Sequence, residues 1–272
     1  MQIQRRSPFR EDLLEGKVAF VTGGGSGICK GIAEAYLRHG AVCMIVSRNE
    51  ERVAKAAAEL TALTGRKCIY MACDVRKPEQ VEAAIQKCLD ELGRLDILVN
   101  GAAGNFLSPA GQLSYNAFRT VLEIDTMGTF NVSKAAYVKW LKKNGGVIIN
   151  ISMTLHYAGT PFQVHAAAAK AGVDAMTKHL SVEWGPNVRV NGLAPGPVKQ
   201  TVGYSKLTPK GFSEKMEQTI PLRRSADVHE MADAALYLSS DASSYVTGTT
   251  LVVDGGSWMT ANVAFLPLLS KL

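Results

Sequence analysis

The chain has 272 residues, 47% of them apolar, and 30 basic against 24 acidic side chains give it a net charge of +6. That apolar share is ample for one large buried core, while its longest apolar stretches, such as residues 18–21 and 147–149, fall far short of the roughly 20 residues a membrane span needs, so no membrane insertion is expected. The basic residues are scattered rather than gathered in runs or interleaved with aromatics, which argues against nucleic acid and suits a smaller polyanion such as a nucleotide cofactor or coenzyme A.

Residues 1–10 are basic but hold no apolar core, so no secretory leader is expected. The five cysteines, Cys29, Cys43, Cys68, Cys73 and Cys88, form no CxxC pair and read as free thiols, and no metal site is expected. Short β-branched runs at 18–21, 42–46, 69–72, 97–99, 147–151, 188–193 and 250–253 alternate with longer segments of helical period. Alternation of that kind builds βαβ units, so the fold class is α/β: a doubly wound parallel sheet of seven strands, helices on both faces, in a single domain over 1–272.

The first strand runs straight into Thr22-Gly23-Gly24-Gly25-Ser26-Gly27-Ile28, and Ile28, Ile32, Ala35 and Tyr36 then repeat at helical spacing. Glycines between a strand and a helix let backbone approach a pyrophosphate, and the helix start adds free N–H groups and a positive partial charge. Gly23, Gly25, Ser26, Gly27 and Ile28 are therefore candidate dinucleotide contacts. After the second strand stand Ser47, Arg48 and Asn49, with Arg52 one turn on, where an enzyme preferring NAD would carry an acidic residue for the ribose 2′-hydroxyl. A guanidinium suits the 2′-phosphate of NADPH instead. Residues 201–220, with Gly203, Pro209 and Gly211, form a long aperiodic connection after the sixth strand and read as a substrate flap.

Together with Asp74-Val75, Asn100-Gly101-Ala102-Ala103-Gly104 and Pro195-Gly196, these motifs resemble the short-chain dehydrogenase/reductase family over nearly the whole chain. The resemblance implies a Rossmann-like sheet ordered 3-2-1-4-5-6-7. It further implies Asp74 and Val75 near the adenine, Asn100, Gly101 and Ala102 along the cofactor, and Pro195, Gly196 and Val198 flanking its reactive end. Most members place Asn, Ser, Tyr and Lys in the site, the tyrosine four residues before the lysine. This chain has Asp125, Met153, Ala166 and Lys170 at those positions. Loss of such a general acid typically costs ~10²- to 10⁴-fold, which disfavours carbonyl reduction and favours hydride addition to a conjugated carbon, where the oxygen needs only stabilisation as an enolate.

Within the family, Ala102-Ala103-Gly104-Asn105-Phe106, Ile124-Asp125-Thr126, the block His165 to Lys170 and Ala194-Pro195-Gly196-Pro197 look like the members that reduce 2,4-dienoyl-CoA in peroxisomes. The resemblance implies hydride from NADPH at C5 and a proton at C2, with Lys170 on the nicotinamide ribose. Asn105 is implied to donate to the thioester oxygen, and Asp125 to deliver a proton or orient a water. For the fatty acyl-CoA it implies Arg76, Phe106, Ser114, Tyr115, Asn116 and Lys206, and it implies a homo-oligomer through helices near 118–142 and 167–184. The terminal Ser270-Lys271-Leu272 matches the tripeptide read by the peroxisomal import receptor, so that receptor is an expected partner and the peroxisome the expected location. His156, Tyr157 and His165 lie off the family's acid position, and His165 is expected to pack or cap at its helix start. A trans-2-enoyl-CoA reductase, a 3-ketoacyl-CoA reductase with an unorthodox acid and an inactive NADPH-binding sensor are the other readings the residues leave open.

Overall fold

The computed structural model describes residues 7–208 and 213–260. Among them seven strands form one parallel sheet ordered β3-β2-β1-β4-β5-β6-β7, the order the family resemblance implied. The strands are β1 (Val18–Thr22), β2 (Val42–Ser47), β3 (Cys68–Ala72), β4 (Ile97–Asn100), β5 (Gly146–Ile151), β6 (Val188–Pro195) and β7 (Thr250–Val253). Each lies within two residues of its sequence-read run.

Continuous apolar strands are sorted by the pleat into two cores. Ala19, Val21, Cys43, Ile45, Ile97 and Val99 face helices α1 (Gly27–Arg38) and α2 (Glu50–Thr64). Val18, Phe20, Met44, Val46 and Leu98 face the opposite way, toward α3 (Pro78–Leu92). The segment between β4 and β5 is helical through α4 (Tyr115–Leu122), α5 (Gly128–Ala136) and α6 (Lys142–Asn144), joined by π-helical stretches Glu123–Met127 and Tyr137–Leu141. It joins α3 and α7 (Val164–Trp184) on the second face. Each large apolar side chain buried in these layers contributes about 1.5–3 kcal/mol.

The connection at 201–220 differs from its aperiodic reading. Its described part holds two short helices, α8 (Val202–Leu207) and α9 (Ser213–Thr219). Thr201 starts the first by accepting a hydrogen bond from the Tyr204 N–H, a local cap rather than a hydrophobic period. The chain then enters α10 (Val228–Ser239) through a capping box between Asp227 and Glu230, and α11 (Ser257–Thr260) follows β7. The tripeptide 270–272 lies outside the described residues. No described helix is long and apolar enough to cross a membrane.

Candidate active site

The strand order reverses between β1 and β4, and in open parallel sheets ligands bind in the crevice outside the carboxyl ends of the strands at such a point. The floor here has little room for side chains. A Cβ on Gly23, whose φ is +70°, would lie 2.8 Å from the Gly101 carbonyl oxygen, and one on Gly101 would lie 2.0 Å from Cys29 Sγ. Thr22 Oγ1 accepts from the N–H groups of Gly101 (2.9 Å) and Ala102 (3.1 Å), tying the two loops together. Cys29, at the place of the motif's last glycine, fits because Gly101 opposite it has no side chain. The thiol is buried and its pKa is pushed up to about 12, so it is an inert packing group.

The first turn of α1 holds no acidic residue, and Ser26 does not spend its hydroxyl on capping. Arg52 Cγ lies 3.4 Å from the Cβ position of Gly25. Asn49 caps α2 by accepting from the Arg52 N–H, and Ser47 donates to the Asn49 carbonyl. The glycine turn, the start of α1 and the start of α2 thus lie side by side, with hydroxyl and guanidinium groups along them. Asp74 is held below the usual carboxylate range, first by hydrogen bonds from the Arg76 guanidinium and more weakly by the Arg48 charge.

Lys170 and Asp125 form the centre of the second half. The π-helical stretch turns the Asp125 side chain inward, 1% exposed. Lys170 Nζ lies 3.1 Å from Asp125 Oδ2 and donates to the Ile151 carbonyl at the end of β5 (2.8 Å). Asp125 Oδ1 accepts from the Gly104 N–H (2.8 Å). Both carboxylate oxygens are thus engaged, one by a cation and one by the loop that carries Asn105. One turn before Lys170, Ala166 is 1% exposed, so the place of the family's acid is filled by a packed methyl group.

The loop after β4 is stitched to the start of α7. Asn105 Nδ2 donates to Gln163 Oε1 (2.8 Å), Ser108 N–H donates to the Phe162 carbonyl (3.0 Å), and His165 Nε2 bonds the Phe106 carbonyl (3.0 Å). The His165 ring is wholly buried and stacks on Phe106 at 4.4 Å. It therefore packs at its helix start, against the site loop.

A second titratable group lies one turn beyond Lys170. Asp174 Oδ2 accepts from His156 Nε2 (2.8 Å) and the Tyr157 hydroxyl (3.1 Å), and Oδ1 accepts from Thr250 (3.1 Å). Burial alone would raise the pKa of Asp174, but the hydrogen bonds, His156's foremost, bring it below the usual range. Tyr157 shows the converse: burial, then the charge of Asp174, push it up to about 12. Asp174 was missed in the sequence; two signals could have found it, its i,i+4 spacing from Lys170 and the closeness of His156 and Tyr157 to the end of β5. Gln163 carried none.

The other sequence-read substrate residues are dispersed. Arg76 is clasped to Asp74, with Nη2 2.5 Å from Oδ2 and Nε 3.0 Å from Oδ1. Ser114 caps α4, Asn116 accepts from Arg119, and Tyr115 is fully open to solvent. Lys206 is exposed on α8. Pro195 ends β6, Gly196 leaves room only for the Asp254 backbone and Cβ (2.6 Å from a Cβ), and Val198 bridges to Ala226 at the root of the flap.

A family model described as enoyl-(acyl carrier protein) reductase matches residues 23–257, and the chain belongs to this short-chain dehydrogenase/reductase family. Peroxisomal 2,4-dienoyl-CoA reductase [(3E)-enoyl-CoA-producing] of Danio rerio is 55% identical over 260 residues, covering 93% of this chain and 85% of that one. The protein of the same name from Rattus norvegicus is 54% identical over 254 residues, 93% of this chain and 87% of that one. Among solved structures, a 7α-hydroxysteroid dehydrogenase complexed with NADH and 7-oxo glycochenodeoxycholic acid matches with a TM-score of 0.85 at 31% identity, over 91% of this chain and 97% of that chain.

Proposed function

We propose that this chain reduces 2,4-dienoyl-CoA thioesters to 3-enoyl-CoA with NADPH, as a peroxisomal enzyme of unsaturated fatty acid oxidation. One observation carries the chemistry: a buried alanine stands one turn before a buried, ion-paired lysine. A carbonyl reductase needs a proton for the developing alkoxide, and Ala166 has none to give. Conjugate reduction needs only an oxyanion stabilised at a distance while carbon takes the hydride. The names and identities of the relatives agree with this reading.

When bound, NADPH supplies the hydride. Gly23, Gly25, Ser26, Gly27 and Ile28 would cradle its pyrophosphate, Arg48 with Ser47, Asn49 and Arg52 its 2′-phosphate, and Asp74 with Val75 its adenine. Asn100, Gly101, Ala102, Pro195, Gly196 and Val198 would line the nicotinamide half. Lys170 would hold the nicotinamide ribose and add positive potential beside the enolate. The one carboxylate whose electrostatics register the Arg48 charge among the described residues, Asp74, is itself engaged by Arg76, which supports the choice of the phosphorylated cofactor.

Asn105 donates to the thioester oxygen as charge develops there. Asp125 holds Lys170 and the Gly104 N–H in register, and, engaged by a buried ammonium and a backbone N–H, it acts as an anchor rather than as the proton source. The proton that reaches C2 is relayed through the His156–Asp174 pair, with Tyr157 holding the Asp174 carboxylate. Phe106, the half-buried Arg76 and the exposed Ser114, Tyr115, Asn116 and Lys206 are assigned to the acyl-CoA along the crevice mouth and flap. Subunit association through the α4 to α6 helices and α7, and import through the receptor that reads Ser-Lys-Leu, complete the proposal.

Purified protein with NADPH is to be given 2,4-hexadienoyl-CoA, 2-hexenoyl-CoA and 3-ketohexanoyl-CoA in parallel. The dienoyl ester is expected to be reduced fastest, with a 3-enoyl product. A preference for either other ester overturns the assignment.

A further inference from the structure

Asn105 and Gln163 come from loops 58 residues apart, yet their amides meet at 2.8 Å. The direction of that bond is fixed by a third group. Asn105 Oδ1 accepts from the Phe106 N–H at 2.8 Å, and a backbone N–H can only donate. The oxygen of the Asn105 amide must therefore face Phe106, its nitrogen must face Gln163, and Gln163 must turn its own oxygen to meet it. Gln163 is 5% exposed, so its side chain is held by packing in that orientation.

An amide nitrogen carries two N–H bonds at about 120°. Once Gln163 takes one, the direction of the other follows from planarity. An oxyanion donor is effective only when it is aimed before charge develops, and small misplacements cost rate rather than binding. The backbone around Gln163 is built to hold that aim. Phe162 adopts a φ of +67°, unusual for a residue with a Cβ, and its carbonyl accepts from Ser108. His165, two residues on, bonds the Phe106 carbonyl. Strained backbone and three hydrogen bonds thus bracket a single amide pair.

We infer that Gln163 is a positioning residue for the reaction: by accepting one N–H of Asn105, it directs the other at the thioester oxygen. The inference rests on the reading of Asn105 as the oxyanion donor given above.

A double-mutant cycle tests it. Gln163→Met keeps the length and removes the acceptor; Gln163→Ala removes both. Each is expected to lower kcat for 2,4-hexadienoyl-CoA roughly tenfold, with NADPH affinity by fluorescence titration within about twofold of wild type, which also reports that the variant is folded. Asn105→Ala is expected to lower kcat about 10²-fold. Adding either Gln163 change to Asn105→Ala should then cost nothing more, because Gln163 acts only through Asn105.

The infrared carbonyl band of bound hexanoyl-CoA, a saturated ester that is not reduced, gives a second reading. The downshift seen with wild type should shrink in both Gln163 variants, and this band is the deciding measurement should either variant lose cofactor affinity. Additive losses in the cycle, or an unmoved carbonyl band, overturn the positioning role. Wild-type turnover in Asn105→Ala instead removes Asn105 from the mechanism, and the inference falls with it.

Discussion

Asp125 and Asp174 are carboxylates of similar burial, 1% and 7% exposed, that meet α7 one turn apart, and their partners divide their work. Asp125 is engaged by an ammonium and a backbone N–H. Neither partner exchanges its role readily, so the carboxylate serves as a fixed joint between α7, β5 and the Asn105 loop. Asp174 is engaged by an imidazole, a phenol and a threonine hydroxyl. All three are side chains whose donor hydrogens can turn away, and one of them, the His156 imidazole, has a second ring nitrogen through which a proton can be passed on. Burial alone does not tell an anchor from a relay; the donors around each carboxylate do.

The largest expected effect follows from breaking the anchor. Asp125→Ala leaves the Lys170 ammonium buried without its counter-ion, which typically costs about 3–5 kcal/mol, and should lower the melting temperature on the order of 10 °C. Turnover should fall with it, while NADPH affinity measured on the folded fraction stays nearly intact. Unchanged melting and turnover would remove Asp125 from both roles. Asp174→Asn should do the opposite: a kcat loss of ~10²-fold, in the range for a lost acid–base group, with a much smaller change in melting temperature. If Asp174→Asn instead melts like Asp125→Ala and keeps its turnover, the two carboxylates have the same structural role and the contrast fails.

Arg48→Asp lies outside both groups and calibrates them. Charge-assisted hydrogen bonds to a phosphate are worth about 1.5–3 kcal/mol, so the preference for NADPH over NADH should fall roughly 10- to 100-fold, with kcat at saturating cofactor and the melting temperature little altered. An unaltered preference refutes the assignment of the 2′-phosphate to Arg48.

These three tests differ in how much the sequence alone could say about their targets. Around Arg48 the relevant residues are neighbours in the chain, and the short-range rules that shape a glycine turn or a helix start operate on neighbours. The strand runs were legible for the same reason: seven β-branched segments announce themselves, although the period-two sorting of Val18 to Val21 into two cores appears only when helices cover both faces. The Asn105–Gln163 pair is of another kind. It joins residues 58 apart, and its partner choice depends on where α7 begins in space. Nor could the sequence say that Asp125 would have both oxygens occupied, since Gly104 contributes a backbone N–H that any residue possesses. What the chain order hides at this site is which donors reach each carboxylate, and that decides between an anchor and a relay.

The smallest effect is expected at Tyr157, and it sharpens the contrast further. A tyrosine that replaced the family's acid would sit beside a cation and titrate low. Tyr157 donates to the Asp174 carboxylate instead, and burial, then the charge of that carboxylate, push its pKa up to about 12. Tyr157→Phe should therefore leave kcat within about threefold and the rate profile between pH 6 and 9 unchanged in shape. The signature lies in stability at high pH. Because the folded pKa is raised above the ordinary value of 10, the unfolded chain releases this proton first. The stability contributed by the protonated phenol is complete below pH 10 and is lost as pH rises toward 12. Urea midpoints for wild type and Tyr157→Phe should converge on the alkaline side of pH 10, as wild type loses a contribution the variant never had. A rate profile whose alkaline limb moves on Tyr157→Phe would make the phenol, and not the His156–Asp174 pair, the proton source.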